Sequence, residues 1–309
     1  MKCSVIIPTY KRSRVIQRAV DSVLAQTFDD FEVIVVDDNG IDSDEGRLTA
    51  LKMLKYKNNA RVNYIQHIVN KNGSAARNTG IKNAIGEYIS FLDDDDIYSK
   101  TRLEKMVKKM DSLDNSWGAC YTGYVKHMTN GKIQKSDETS EGDLFVPALM
   151  RALYIGSGSN LFFRRSVIEK IGNFDESFKR NQDLEYLLRV LSVYKMAYVD
   201  EVLMEIFYDI RTVKLTYEES CIRENNFRST FAHYLKEMSY AERKSVIAMY
   251  DIDWIRDLLG MKKYSLAFIS LIKSKIPIRV WFAYIMYISR RYFTNTCYGF
   301  VVDKKYWDQ

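Results

Sequence analysis

The stretch Tyr88-Ile89-Ser90-Phe91-Leu92-Asp93-Asp94-Asp95-Asp96-Ile97-Tyr98 sets the tightest limit on what this chain can fold into. Five residues with the composition of a buried strand run straight into four carboxylates. Burying those charges without partners would be prohibitive, and crowding them raises their mutual repulsion. An acidic run is usually a solvated loop. This one begins where a strand stops, and in an open parallel sheet that edge is where ligands bind. Carboxylates there suit a hard divalent cation, Mg²⁺ or Mn²⁺, that keeps part of its shell for phosphate oxygens.

The residues before the run supply the sheet. Ser4-Val5-Ile6-Ile7, closed by Pro8, reads as a buried strand. Residues 31–36 read as a second, ending at Asp37-Asp38-Asn39-Gly40, and residues 62–66 as a third. Between the first two, Ser13 is placed to cap a helix with Ile16, Ala19/Val20 and Val23/Leu24 on one face. A further helix carries Leu48, Leu51 and Leu54, and Gly73-Ser74-Ala75-Ala76-Arg77-Asn78-Thr79-Gly80-Ile81 opens another. This βαβαβαβ alternation predicts a doubly wound α/β sheet with a nucleotide crevice at its carboxyl edge. Thr9, Asp38 and Asp93 to Asp95 would converge there. An Asp after a strand commonly satisfies local backbone, but three polar strand ends in succession favour a shared site.

After Lys100 a basic amphipathic helix carries Leu103, Met106/Val107 and Met110. Residues 117–125 read as a strand and residues 130–141 as a polar loop. Gly156-Ser157-Gly158-Ser159-Asn160 precedes the apolar Leu161-Phe162-Phe163. Leu184, Leu187/Leu188 and Leu191 then define a helix with Asp183 in or just before its first turn, where an acidic residue is often only a cap.

Several of these segments fit one pattern. The chain resembles the family 2 glycosyltransferases of bacterial polysaccharide synthesis, inverting enzymes with the GT-A fold. The matching pieces are Val5-Ile6-Ile7-Pro8-Thr9-Tyr10, Val35-Val36-Asp37-Asp38, residues 75–81, residues 86–96, Gly172-Asn173-Phe174-Asp175-Glu176 and Gln182-Asp183-Leu184-Glu185, in the family's order. The resemblance implies a GT-A catalytic domain with a mixed sheet over residues 1–214. It also implies transfer of a hexose or N-acetylhexosamine from a nucleotide-diphosphate sugar, by preference a UDP-sugar, to a glycan or lipid-linked oligosaccharide hydroxyl. By the same resemblance Pro8, Thr9 and Tyr10 line the base pocket and Asp38 accepts from the base. Arg77 lies beside the base or diphosphate, Asp93 or Asp94 holds the ribose, and Asp95 ligates Mn²⁺ or Mg²⁺. Asp183 becomes the base that deprotonates the acceptor. Relatives often carry a histidine after the last strand; residues 206–214 have none, with Arg211 and Lys214 as substitutes.

Charge separates the C-terminus from the rest. The net charge is +6, yet residues 261–302 hold seven basic residues and no acidic one, which leaves the remainder at −1. Residues 215–309 read as helical, with Trp281, Tyr284/Ile285 and Ile288 at helical spacing. This extension has two compatible readings: a helical cap on the catalytic domain, or an interfacial helix on an anionic membrane leaflet. Its longest apolar run, residues 280–288, is well short of the ~20 residues that span a bilayer. Four scattered cysteines without a CxxC pair, and only three histidines, argue against a zinc site or disulfide framework. They fit a reducing, cytoplasmic setting, and the immediate strand at the N-terminus argues against a signal peptide. No recognised nucleic-acid module or interleaved basic groove is present.

Two rival readings remain. A sugar nucleotidyltransferase would want a glycine-rich loop after the first strand, where this chain has Pro8-Thr9-Tyr10-Lys11-Arg12. A non-catalytic nucleotide-sugar-binding protein has no need of the full motif set.

Overall fold

The structure, a computed structural model, describes residues 1–178, 180–208 and 215–307. It divides into two compact units, Met1–Phe145 with Ile155–Asp209, and Val146–Tyr154 with Ile210–Gln309.

In the first unit, strands β1 (Cys3–Thr9), β2 (Phe31–Asp37), β3 (Val62–Gln66) and β4 (Tyr88–Phe91) form a parallel sheet in the order β3-β2-β1-β4. Val5, Ile6 and Ile7 on β1 and Val33 to Val36 on β2 are wholly buried. That explains their continuous apolar runs: a parallel strand is covered on both faces. Helices α1 (Ile16–Leu24), α2 (Asp44–Met53) and α3 (Gly73–Asn83) make the crossovers.

Beyond β4 the sheet turns antiparallel. The elements that follow along the chain are β5 (Ile97–Tyr98), α4 (Arg102–Asp111), β6 (Trp117–His127), β7 (Ile133–Ser136), α5 (Phe145–Leu149, all but its first residue in the second unit), β8 (Phe162–Arg164), α6 (Arg165–Ile171), α7 (Gln182–Leu191) and β9 (Lys195–Phe207). β8 pairs antiparallel with both β4 and β6, β9 runs parallel to β6, and β5 lies antiparallel to β9. β4 is therefore central, and its carboxyl end carries the acidic run.

Two local expectations, the loop at residues 130–141 and the Ser13 cap, are corrected. Residues 130–141 are not all loop: residues 133–136 form β7, paired with β6 around a turn closed by Gly131 at φ +77°. Leu48 and Leu51 on α2 and Leu54 just past its end are 47–63% exposed, while Gly46, Thr49 and Met53 are buried. A Cβ on Gly46 would stand 2.2 Å from the Gly40 carbonyl oxygen, so that close approach decides which face turns inward. Ser13 does not cap α1, which starts without a side-chain cap; its amide instead donates to Glu45 Oε2 at 3.3 Å.

The second unit is helical: α8 (Tyr217–Thr230), α9 (Ala232–Glu237), α10 (Tyr240–Gly260), α11 (Tyr264–Ser274) and α12 (Ile278–Thr294). Capping boxes start two of these helices, Thr216 with Glu219 and Ser239 with Glu242. Arg151, from the short earlier segment of this unit, stacks 4.0 Å from the Phe227 ring centroid and pairs with Glu224 at 2.8 Å.

Candidate active site

The four aspartates after β4 enter a tight turn, with the Asp96 amide donating to the Asp93 carbonyl at 3.1 Å. The turn sends their side chains to four different places. Asp93, one-third exposed, pairs with Arg77 Nη2 at 2.6 Å, while its amide donates to Ser159 Oγ. Asp94 is buried and accepts from Thr9 Oγ1 at 2.6 Å and from Arg12 Nη1 at 3.3 Å. Asp95 pairs with the same Arg12 nitrogen, and its carbonyl accepts from Arg18. Asp96 points inward, accepting from Ser159 Oγ at 2.6 Å, Ser157 Oγ at 3.1 Å and the Phe207 amide at 3.1 Å.

The charge problem posed by the sequence is solved by separation and pairing. Two arginines and three hydroxyls divide the four carboxylates among them. The residual cost appears in the proton affinities. Burial pushes the Asp94 carboxyl up to about 6, opposed by the Thr9 bond and by Arg12. Burial, aided by the charge of Asp93, pushes Asp96 up to about 7. Behind the turn lies fully buried Arg102, bonded to Thr122 Oγ1 and Asn160 Oδ1, its guanidinium 4.5 Å from the Tyr98 ring centroid.

Asp183 sits in the first turn of α7 and is not a cap. Its Oδ1 accepts from the Leu184 amide at 2.9 Å, and the helix has no side-chain cap at Asn181. Burial raises its carboxyl above the ordinary carboxylate range, Arg77 works against that shift, and Asp93 adds to it. Gly158 shows how close these groups stand. A Cβ built there would meet Asp183 Cβ at 3.2 Å and Arg77 Nη2 at 3.8 Å. The later carboxylate and the Arg77–Asp93 pair thus flank one glycine, beside the acidic turn.

Asp38 is held by the loop that leads into α3. His67 Nδ1 bonds its Oδ1 at 2.7 Å, the Lys71 amide donates to the same oxygen, and Asn70 Nδ2 and the Asn72 amide donate to Oδ2. A carboxylate offers about four acceptor positions, and residues 67–72 occupy them here. Asp37 is filled likewise, by the backbone and side chain of Asn39, Tyr64 and Gln66. Thr9 is 2% exposed and committed to Asp94; Pro8 is half-buried, and Tyr10 is exposed. The structure therefore brings together Thr9, Arg77, Asp93, Asp94, Asp95 and Asp183. Asp38 is set back, holding the loop that enters α3. Arg211 and Lys214 lie outside the described residues.

Sequence reasoning missed Arg12, Ser157 and Ser159. Arg12 is one of several basic residues in a loop and carries no spacing signal. The serines lie some sixty residues from the carboxylate they bond, a separation no local pattern spans.

No group of three or more His, Cys, Asp or Glu among the described residues is arranged to hold a metal ion. A cation of the Mg²⁺ type needs no such cage, since one or two carboxylates plus substrate phosphates suffice. Asp95, 15% exposed at its side chain and already balancing a cationic group, fits that requirement by its chemistry.

A parallel sheet that ends in an acidic turn and continues as antiparallel strands defines the GT-A class of glycosyltransferase folds. Structures of S. aureus TarS share it: one has a TM-score of 0.62 at 20% identity, covering 84% of this chain and 44% of TarS. TarS 1–349 in complex with UDP-GlcNAc gives 0.61 at 20% identity, covering 81% and 71%. The mannosyltransferase PcManGT of Pyrobaculum calidifontis, in complex with GDP-Man and Mn²⁺, gives 0.50 at 16%, covering 82% and 64%.

The chain belongs to glycosyl transferase family 2, whose model matches residues 4–172. It is 28% identical over 303 residues to the GalNAc(5)-diNAcBac-PP-undecaprenol beta-1,3-glucosyltransferase of Campylobacter jejuni, covering 89% of this chain and 94% of that protein. An uncharacterized glycosyltransferase of Rickettsia felis is 42% identical over 135 residues, 44% of this chain but only 21% of that longer protein.

Proposed function

We propose that the chain is a metal-dependent, inverting glycosyltransferase of cell-surface glycan synthesis. Its donor is a UDP-sugar, and its acceptor a hydroxyl of a glycan or lipid-linked oligosaccharide at the inner face of the plasma membrane. One observation carries the reading: Asp183 and the Arg77–Asp93 pair converge on Gly158 beside the carboxylates of the acidic turn. That convergence supports a proton acceptor and a diphosphate-binding edge sharing one cleft. The UDP-GlcNAc in the TarS structure and the glucosyl transfer in the Campylobacter relative's name support the donor and acceptor classes.

In this mechanism Asp183 takes the proton of the acceptor hydroxyl as its oxygen bonds to the anomeric carbon. The bond from that carbon to the diphosphate breaks, and the nucleoside diphosphate leaves from the opposite face. A carboxyl held above its ordinary range by burial is better matched to this exchange near neutral pH than an exposed one. Arg77 offers its guanidinium to the leaving diphosphate, kept in place by Asp93 or by the phosphate that replaces it. Asp95 would hold Mn²⁺ or Mg²⁺, which would supply Lewis-acid stabilisation of diphosphate charge. Thr9 and Arg12 keep the Asp94 carboxylate oriented. Pro8 and Tyr10 line the base, and Asp38 shapes the wall through residues 67–72.

The test is transfer from UDP-glucose, UDP-galactose, UDP-GlcNAc and UDP-GalNAc to a soluble acceptor glycan, with Mn²⁺ or with EDTA. The reading expects one or two donors to be used, EDTA to stop transfer, and NMR to show a β-linkage from the α-linked donor. Retention of the α-configuration, or full activity in EDTA, contradicts it.

A further inference from the structure

We propose that the outer face of α11 and α12 is a docking surface for an anionic lipid bilayer. The inference gives the lipid-linked acceptor of the preceding reading a setting, but it stands on the helical unit alone.

A packed helix of a soluble protein turns its apolar stripe inward. These two helices keep large apolar side chains outside. On α12 only Val280 and Tyr284 are buried, whereas Ile278, Phe282, Ile285, Met286, Tyr292 and Phe293 are each more than half exposed. At 3.6 residues per turn those six fall on one side of the helix, opposite the buried pair. On α11 only Ala267 is buried, and Tyr264, Phe268 and Ile272 are each 63% exposed at the spacing of one face. The spacing predicted Trp281, Tyr284, Ile285 and Ile288 as a single stripe; the structure splits it, with Tyr284 inward and Ile285 and Ile288 outward.

Charge selects the occupant. Residues 261–302 contain seven lysines and arginines and no acidic residue, and among the described residues none of the seven pairs with a carboxylate. Arg279 and Arg290 fall on one border of the α12 stripe, roughly a quarter-turn from its centre. Lys275 stands in the connection between the two helices. An apolar stripe with a cationic border is what an in-plane helix presents to acidic headgroups. A second copy of the same face would instead set these cations against their own kind. Insertion across the bilayer is not the mode, since no helix among the described residues is long and apolar enough.

The experiment is vesicle co-sedimentation of the full chain, without donor or acceptor, on phosphatidylcholine vesicles with and without 40% phosphatidylglycerol. Binding to the anionic vesicles is expected, weakening as salt rises, with at least tenfold less on the neutral ones. Phe282→Ser with Ile285→Ser should reduce it at least tenfold. Lys275→Gln with Arg290→Gln should lower it about fivefold per residue. Both variants should keep the parent's melting temperature and its transfer to a soluble acceptor, and loss of that transfer in the parent would leave the vesicle result unaffected. Equal binding to both vesicle types, or no binding, overturns the proposal. So does a stable dimer by light scattering that Phe282→Ser with Ile285→Ser dissociates, because a second copy then covers the face.

Discussion

Asp183→Asn isolates the proposed proton acceptor with little structural disturbance. Asparagine has nearly the same volume, and its Oδ1 can keep the 2.9 Å bond from the Leu184 amide. No cap depends on the residue. Arg77 keeps Asp93 as its partner at 2.6 Å, so no cation is stranded. What disappears is the ability to take a proton, a function that contributes ~10²–10⁴-fold to a rate, or about 3–5 kcal/mol of transition-state free energy. We therefore expect kcat for transfer to fall by that factor, with donor affinity and melting temperature nearly unchanged. The pH profile adds a second readout. Because burial raises the Asp183 carboxyl, the acidic limb of kcat/KM should lie above the 3.8 of a free aspartate, with activity lost as pH falls through it and the base becomes protonated. The measurement is initial-rate transfer from pH 4.5 to 8.5, alongside donor-induced thermal shifts. Turnover within threefold of the parent would remove Asp183 from the role.

Arg12 balances Asp94 and Asp95 when no donor is bound. Arg12→Gln should tighten Mn²⁺ binding to the donor-free chain by about tenfold, ~1.4 kcal/mol, in a calorimetric titration at pH 8; unchanged affinity would show that the guanidinium does not compete for the cation. The buried Asp96 carboxyl, raised to about 7, makes the folded state hold a proton that the unfolded state releases. The stability this contributes is complete below pH ~4 and lost as pH rises through 7, as much as ~4 kcal/mol. Asp96→Asn should flatten that decline in a series of melting curves from pH 5 to 8, and parallel curves would refute the assignment. Gly158→Ala places a methyl 3.2 Å from Asp183 Cβ. Its transfer rate should fall about tenfold or more with only a small change in melting temperature, whereas an unaltered rate would mean that the cleft is looser than described.

The parallel half of the sheet is legible because its strands are buried on both faces, so Val5 to Ile7 and Val33 to Val36 need no partner information to be read. The acidic run announces itself for the opposite reason: no solvated loop requires a buried strand to deliver it. The order of β8, β6 and β9 beside β4 is not written locally, since antiparallel pairing joins residues far apart in the chain. α2 shows the limit of periodicity, because its leucines are spaced as an inner face yet a backbone approach at Gly46 turns another face inward. Asp38 shows what a motif leaves unsaid about partners. Its position follows the pattern, but its four acceptor sites are occupied by residues about thirty positions later.

All of the chemistry requires the acidic turn to hold the donor's diphosphate, through a divalent cation, in the cleft that also contains Asp183. Anomalous diffraction from crystals grown with UDP and Mn²⁺ tests this directly. The account predicts a manganese peak joined to the Asp95 carboxylate and to the diphosphate, with Arg12 withdrawn from Asp95. UDP bound elsewhere, or bound in this cleft with manganese on other residues, would contradict it.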